Sequence, residues 1–169
     1  MRRRPTVVLG ASGLVGQRMQ QRLYNHPWFE LKVVGGRQED SEKSLEHTPW
    51  RLDELRPNFS SIPIFDISSN SFIKDLLDLE IEVAFSCLPS DVAERIENVL
   101  AQAGIAVFSN ASFNRRKEGI PLVIPDVNAE HFSALSTSES PIVCGTNCTL
   151  IPVAVPLAAL RVFGIQTIR

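Results

Sequence analysis

Several things are scarce in this sequence, and each scarcity excludes something. Cysteine occurs only three times, an odd number in a chain of 169 residues that is long enough to build its own core. A disulfide framework is therefore excluded and reduced thiols are expected. Neither sign of charge is in surplus: 17 Lys and Arg stand against 19 Asp and Glu, for a net charge of -2. That balance lacks the basic footprint of a nucleic-acid or membrane-surface binder, so a small molecule is the expected partner. No stretch approaches the ~20 consecutive apolar residues of a membrane-spanning helix. The most apolar segment, Leu150 to Phe163, is interrupted by Pro152, Pro156 and Arg161. The basic start, Arg2 to Arg4, precedes an apolar run of only Thr6 to Leu9, too short for a signal-peptide core, and a cytoplasmic location is expected.

What remains is ordinary globular composition, with 44% hydrophobic and 21% charged residues. Short β-rich runs bounded by turn residues occur at Thr6 to Leu9, Leu31 to Val34, Ile62 to Phe65, Glu82 to Ser86, Ala106 to Phe108, Leu122 to Ile124 and Ile142 to Cys144. Helical spacing lies between them. Leu14, Val15, Met19 and Leu23 share a face, as do Val92, Ile96, Val99 and Leu100, with Ser90 and Asp91 as the predicted N-cap of the second helix and Gly104 as its stop. Phe72 to Leu79 has a similar pattern. Alternating strands and helices predict an α/β fold, a doubly wound, Rossmann-like and mostly parallel sheet. The polar stretch from Gln38 to Ser61 reads as a long surface connection with about one helical turn.

Gly10, Gly13 and Gly16 are spaced by two residues between the first strand and the first helix. Such glycines let the chain turn sharply, and they let backbone N–H groups at the positive end of a helix approach a pyrophosphate. Gly10, Ser12, Gly13, Leu14, Val15 and Gly16 are thus the candidate dinucleotide loop. An acidic residue ending the second strand would mark NAD, but this strand ends Val34-Gly35-Gly36-Arg37. A cation there favours NADP, with Arg37 on the ribose 2'-phosphate and Lys43 as helper. Cys148, in Gly145-Thr146-Asn147-Cys148-Thr149-Leu150, falls at or near the start of an apolar helical stretch that ends near Gly164. Helix N–H groups there stabilise a thiolate, although a small residue buried at a helix start is the competing reading. Cys144, Cys148 and His131 fall short of the four ligands of a structural zinc site, so no metal is expected. The basic loop Asn110 to Gly119, with Arg115, Arg116 and Lys117, is either solvated or anion-binding.

Taken in order, Gly10 to Gly16, Phe85-Ser86-Cys87-Leu88-Pro89-Ser90-Asp91-Val92-Ala93, Val107-Phe108-Ser109-Asn110-Ala111-Ser112, Pro121-Leu122-Val123-Ile124-Pro125-Asp126-Val127-Asn128 and Asn147-Cys148-Thr149 closely resemble the aspartate-semialdehyde dehydrogenases, especially their archaeal and fungal branch. The resemblance implies NADP-dependent chemistry in amino-acid biosynthesis, in which aspartyl phosphate and NADPH give aspartate semialdehyde through a thioacyl intermediate on Cys148. It implies that Asn147 orients the nucleophile and that Cys87, Leu88 and Pro89 line the nicotinamide side. Asn110 and Arg115 would meet the substrate and its phosphate. The family commonly has serine, alanine, methionine and glutamate where this chain has Arg37, Cys87, Arg116 and Asp126.

Beyond the Cys148 helix the family continues into a second domain that carries its general-base histidine and dimer interface, and the complete enzyme is expected to be a homo-oligomer. His26, His47 and His131 do not match that base in context. Residues 1-147 are accordingly expected to form the NADP-binding domain, and 148-169 the nucleophile helix and the beginning of a truncated catalytic domain unable to turn over alone. A binding module without catalysis, or a malonyl- or succinyl-CoA reductase of the same superfamily, are the alternatives.

Overall fold

Val7, Val8 and Leu9 are fully buried, as expected of a strand covered on both faces, and they form the centre of the sheet. The computed structural model describes residues 2–41, 43–59, 62–136, 141–165 and 167. The strands are β1 (Arg4–Leu9), β2 (Phe29–Gly36), β3 (Ile64–Asp66), β4 (Val83–Ser86), β5 (Ala106–Ser109) and β6 (Ile142–Cys144). They form one sheet in the order β3-β2-β1-β4-β5-β6, and each adjacent pair is parallel. That order is the doubly wound arrangement of dinucleotide-binding folds, and it reverses direction between β1 and β4.

The helices are α1 (Leu14–Leu23), α2 (Gln38–Ser41), α3 (Phe72–Asp78), α4 (Ser90–Gln102), α5 (Pro125–Asn128) and α6 (Ile151–Leu160). On one face, Phe72 and Leu76 of α3 and Ala93, Ile96 and Leu100 of α4 pack with Val7, Leu9, Val33 and Val107. On the other, Leu23 of α1 joins Val8, Leu31, Val34, Leu45 and Phe59. Each such fully buried aliphatic side chain contributes roughly 1.5–3 kcal/mol relative to exposure.

Four sequence expectations change. The run Leu122 to Ile124 makes only a single bridge, Leu122 to Cys144, because Pro121 and Pro125 flank it and lack the N–H that would extend the ladder. The stretch 38 to 59 is more than a surface connection: Leu45 and Phe59 are buried in the α1-side core.

On α1 the buried residues are Gly16, Gln17, Gln20 and Leu23, whereas Leu14 and Val15 are about half exposed. Gln20 Nε2 donates to the Ala11 carbonyl at 2.8 Å, and Gln17 Nε2 donates to the carbonyls of Ser12 at 3.2 Å and Pro49 at 2.8 Å. The buried face of α1 is polar at these positions because what it meets is loop backbone, not side chains. Finally, Ser90 is the first residue of α4 and does not cap it. Its Oγ lies 2.6 Å from Ser112 Oγ and accepts the Ser112 N–H at 3.1 Å.

Candidate dinucleotide and nucleophile site

Because all the strands run parallel, the residues that follow β1, β2, β4, β5 and β6 emerge on one edge of the sheet. Gly10, Arg37, Cys87, Asn110 and Gly145 hold those positions. The loop after β1 is built by backbone contacts. Gly10 has φ +77°, donates its N–H to the Gly35 carbonyl at 3.0 Å, and accepts the Gly13 N–H at 3.1 Å. A Cβ on Gly10 would lie 2.6 Å from the Cys87 carbonyl oxygen, so the loops after β1 and β4 meet backbone to backbone. A Cβ on Gly16 would collide with the Gly10 carbonyl oxygen. Only glycine fits either place, and the loop is drawn tightly under the start of α1.

Cys87 donates its N–H to the Leu9 carbonyl at 3.0 Å, while Leu88 is buried and Pro89 exposed. Burial, reinforced by the negative charge of Glu97, pushes the Cys87 thiol from 9.0 up to about 12. The same two causes push Cys144 up to about 11. Cys148 is the exposed thiol. It sits in the turn before α6, not on the helix, since Leu150 is the N-cap and Ile151 the first helical residue. Asn147 shapes that turn: its Oδ1 accepts the Thr149 N–H at 2.8 Å and the Thr149 hydroxyl at 2.6 Å, and its carbonyl accepts the Leu150 N–H at 3.0 Å.

Arg115, in a short 3-10 turn at Phe113–Arg116, spans two strand ends. Its Nε donates to the Gly145 carbonyl at 2.9 Å and its Nη2 to the Asn110 carbonyl at 2.8 Å, which uses two of its five donors. A cleft of ≈ 270 Å³ on this edge is lined by Met19, Phe85, Cys87, Phe108, Asn110 and Gly145 among others. A larger hollow of ≈ 520 Å³ lies at the opposite edge, where its cations are already paired, Arg3 and Lys32 with Glu30 and Arg2 with Glu82.

Arg37 is exposed directly after β2, and Lys43 is exposed with its Nζ 3.3 Å from Asp40. Two of the three histidines are engaged locally. His26 Nδ1 accepts the N–H groups of Trp28 and Phe29 at the start of β2, and His131 Nδ1 lies 2.9 Å from Asn128 Nδ2.

Sequence reasoning passed over Glu97. It lies fully buried on α4, where Ser109 Oγ donates to one carboxylate oxygen and Asn114 Nδ2 to the other, both at 2.7 Å. The available signal was its spacing, four residues after Ala93 and four before Ala101 on the buried face of the helix.

Residues 6–135 match the model of the family described as semialdehyde dehydrogenase, NAD binding domain. The chain belongs to this semialdehyde dehydrogenase family. Among curated relatives, the aspartate-semialdehyde dehydrogenase of Archaeoglobus fulgidus is 36% identical over 96% of this chain and 48% of its own length. That of Saccharomyces cerevisiae is 36% identical over 90% and 44%. Among solved structures, the Candida albicans aspartate-semialdehyde dehydrogenase with NADP superposes with a TM-score of 0.80 at 32% identity, covering 97% of this chain and 48% of that one. The chain thus spans about half the length of the curated relatives it matches. Among the described residues no helix is long and apolar enough to cross a membrane.

Proposed function

We propose that the chain is the NADP-binding part of an aspartate-semialdehyde dehydrogenase and carries its nucleophile, Cys148. In this reading residues 1–147 hold the dinucleotide and 148–169 begin the catalytic part. The observation that carries it is the backbone cradle at Gly10 and Gly16, where no Cβ fits, at the point where strand order reverses. That cradle and the N-terminus of α1 suit a pyrophosphate. Ser12, Gly13, Leu14 and Val15 present the loop's backbone to it, Arg37 and Lys43 take the 2'-phosphate, and Cys87, Leu88 and Pro89 flank the nicotinamide. When bound, NADPH supplies the hydride.

The protein's own chemistry then centres on Cys148. Its thiolate attacks the acyl carbon of β-aspartyl phosphate, the carbon–oxygen bond to phosphate breaks, and a thioester remains. After reduction of that carbon, the thiolate leaves and the aldehyde is released. Asn147 holds the turn that presents the thiol, and Arg115 and Asn110 receive the departing phosphate. The acid–base group of the reaction is assigned outside the described histidines, so these 169 residues are expected to bind and react once without turning over. The complete enzyme acts as a homo-oligomer.

NADPH titration and thiol labelling test this. NADPH should bind more tightly than NADH, and Arg37→Ala should remove about tenfold of that preference, the scale of one charge-assisted contact. A substrate-like electrophile should label the chain at pH 8, and Cys148→Ser should abolish labelling while Cys87→Ser and Cys144→Ser leave it. Absence of NADPH binding at millimolar concentration, or equal loss of labelling at Cys144, would overturn the reading.

A further inference from the structure

A carboxylate with no exposed surface is costly unless its oxygens are matched by donors. Glu97 is such a group, and both its partners belong to the anion-binding segment: Ser109 ends β5, and Asn114, itself fully buried, immediately precedes Arg115. Ser109 Oγ also accepts the Ala111 N–H at 3.1 Å, and the Ser109 carbonyl accepts the Gly145 N–H at 2.8 Å. Arg115 closes the ring through the carbonyls of Asn110 and Gly145. The segment 109–115 is therefore pinned at both ends to one carboxylate, and the guanidinium springs from the residue next to the second pin.

We propose that Glu97 is a positioning residue for anion recognition: its buried carboxylate, through Ser109 and Asn114, sets the height and direction of Arg115 at the sheet edge. The inference rests on the reading of Arg115 as the phosphate ligand. Charge and geometry both matter to the role. A carboxylate is acceptor-only and takes both donors with charge assistance, whereas a glutamine amide in its place would accept from Asn114 through its one oxygen and turn its N–H₂ to the Ser109 hydroxyl, which replaces two charge-assisted bonds by weaker neutral ones. Loss of one charge-assisted bond at a pin lets the loop and its arginine move. The glycine loop lies at a different strand end and should not feel the change.

The test is calorimetric titration with inorganic phosphate, beside NADPH binding and thermal unfolding, on the 169-residue protein. Glu97→Gln is expected to weaken phosphate binding about tenfold while NADPH affinity stays within about twofold. Asn114→Asp, which sets carboxylate against carboxylate, should do the same. The double variant Glu97→Gln with Asn114→Asp should regain phosphate binding, because the donor and acceptor are exchanged and the pair is restored. Ser109→Ala removes one pin alone and should give a smaller loss, which keeps the idea testable if Glu97→Gln does not fold.

Phosphate affinity unchanged in Glu97→Gln but abolished in Arg115→Ala would overturn the positioning role and leave the anion site standing. Equal losses of phosphate and NADPH binding, tracking the fall in melting temperature, would reduce Glu97 to a purely structural residue. Phosphate affinity unchanged in Arg115→Ala, or no phosphate binding by the unaltered protein, would remove the anion site itself and the inference with it.

Discussion

The thiols of Cys87 and Cys144 are pushed up to about 12 and about 11 by burial and by the charge of Glu97. In the unfolded chain they ionise near 9.0, so above that pH the unfolded state releases protons that the folded state keeps. Their contribution to stability is therefore complete below about pH 9 and is lost as pH rises from there toward about 11 for Cys144 and about 12 for Cys87. Urea midpoints measured between pH 8 and 10 should fall in the unaltered protein and fall less steeply in Cys144→Ser and Cys87→Ser. Parallel slopes would refute the assignment. Cys148, exposed in its turn, is the thiol open to reagents from solvent. Its position in Asn147-Cys148-Thr149 was legible in the sequence. The upward shift of the other two was not, since it depends on their burial and on a helix carboxylate brought beside them by the fold.

Among the elements, the glycine loop and the extent of α1 were read most fully, because a turn that requires glycine is a local matter. The apolar runs of β1, β4, β5 and β6 were legible for the same reason, each lying within a few residues of its prediction. The buried face of α1 was misread: Gln17 and Gln20 face loop carbonyls brought in from Ser12, Pro49 and Ala11, and no helical periodicity reveals that. The loop gives a sharp comparison. Gly10→Ala combines a left-handed φ with a Cβ only 2.6 Å from the Cys87 carbonyl, whereas Gly104, at φ +83°, has nothing within 4 Å of the same atom. Gly104→Ala should cost about 1–2 kcal/mol, the conformational term alone. Gly10→Ala should cost more than that and abolish NADPH binding, as read by chemical denaturation and fluorescence titration. Equal costs would show that the loop has room to yield.

At the level of the molecule, the parallel, doubly wound layering followed from the alternation of runs, and one apolar surface stands out on it. No residue of α6 is buried, and the apolar exposure continues past it: Val153 is 50% exposed, Val162 82% and Phe163 79%. An apolar surface of this kind favours association in water. Sedimentation velocity should show concentration-dependent self-association, diminished by Val162→Lys together with Phe163→Lys. A monomer at hundreds of micromolar would contradict this.

The position of β1 at the middle of the sheet has a temporal consequence. One of its edges pairs with β2, the next strand made, but the other waits for β4, where Thr6 meets Val83 and Leu9 meets Ser86. During synthesis that edge and the apolar residues beside it stay uncovered while two further strands and α3 emerge. Closing so distant a pair is slow, because the loop must be ordered before the contact rewards it. The meeting of Gly10 with Cys87 joins residues far apart in the chain, so the glycine cradle is complete only when the two halves of the sheet have joined.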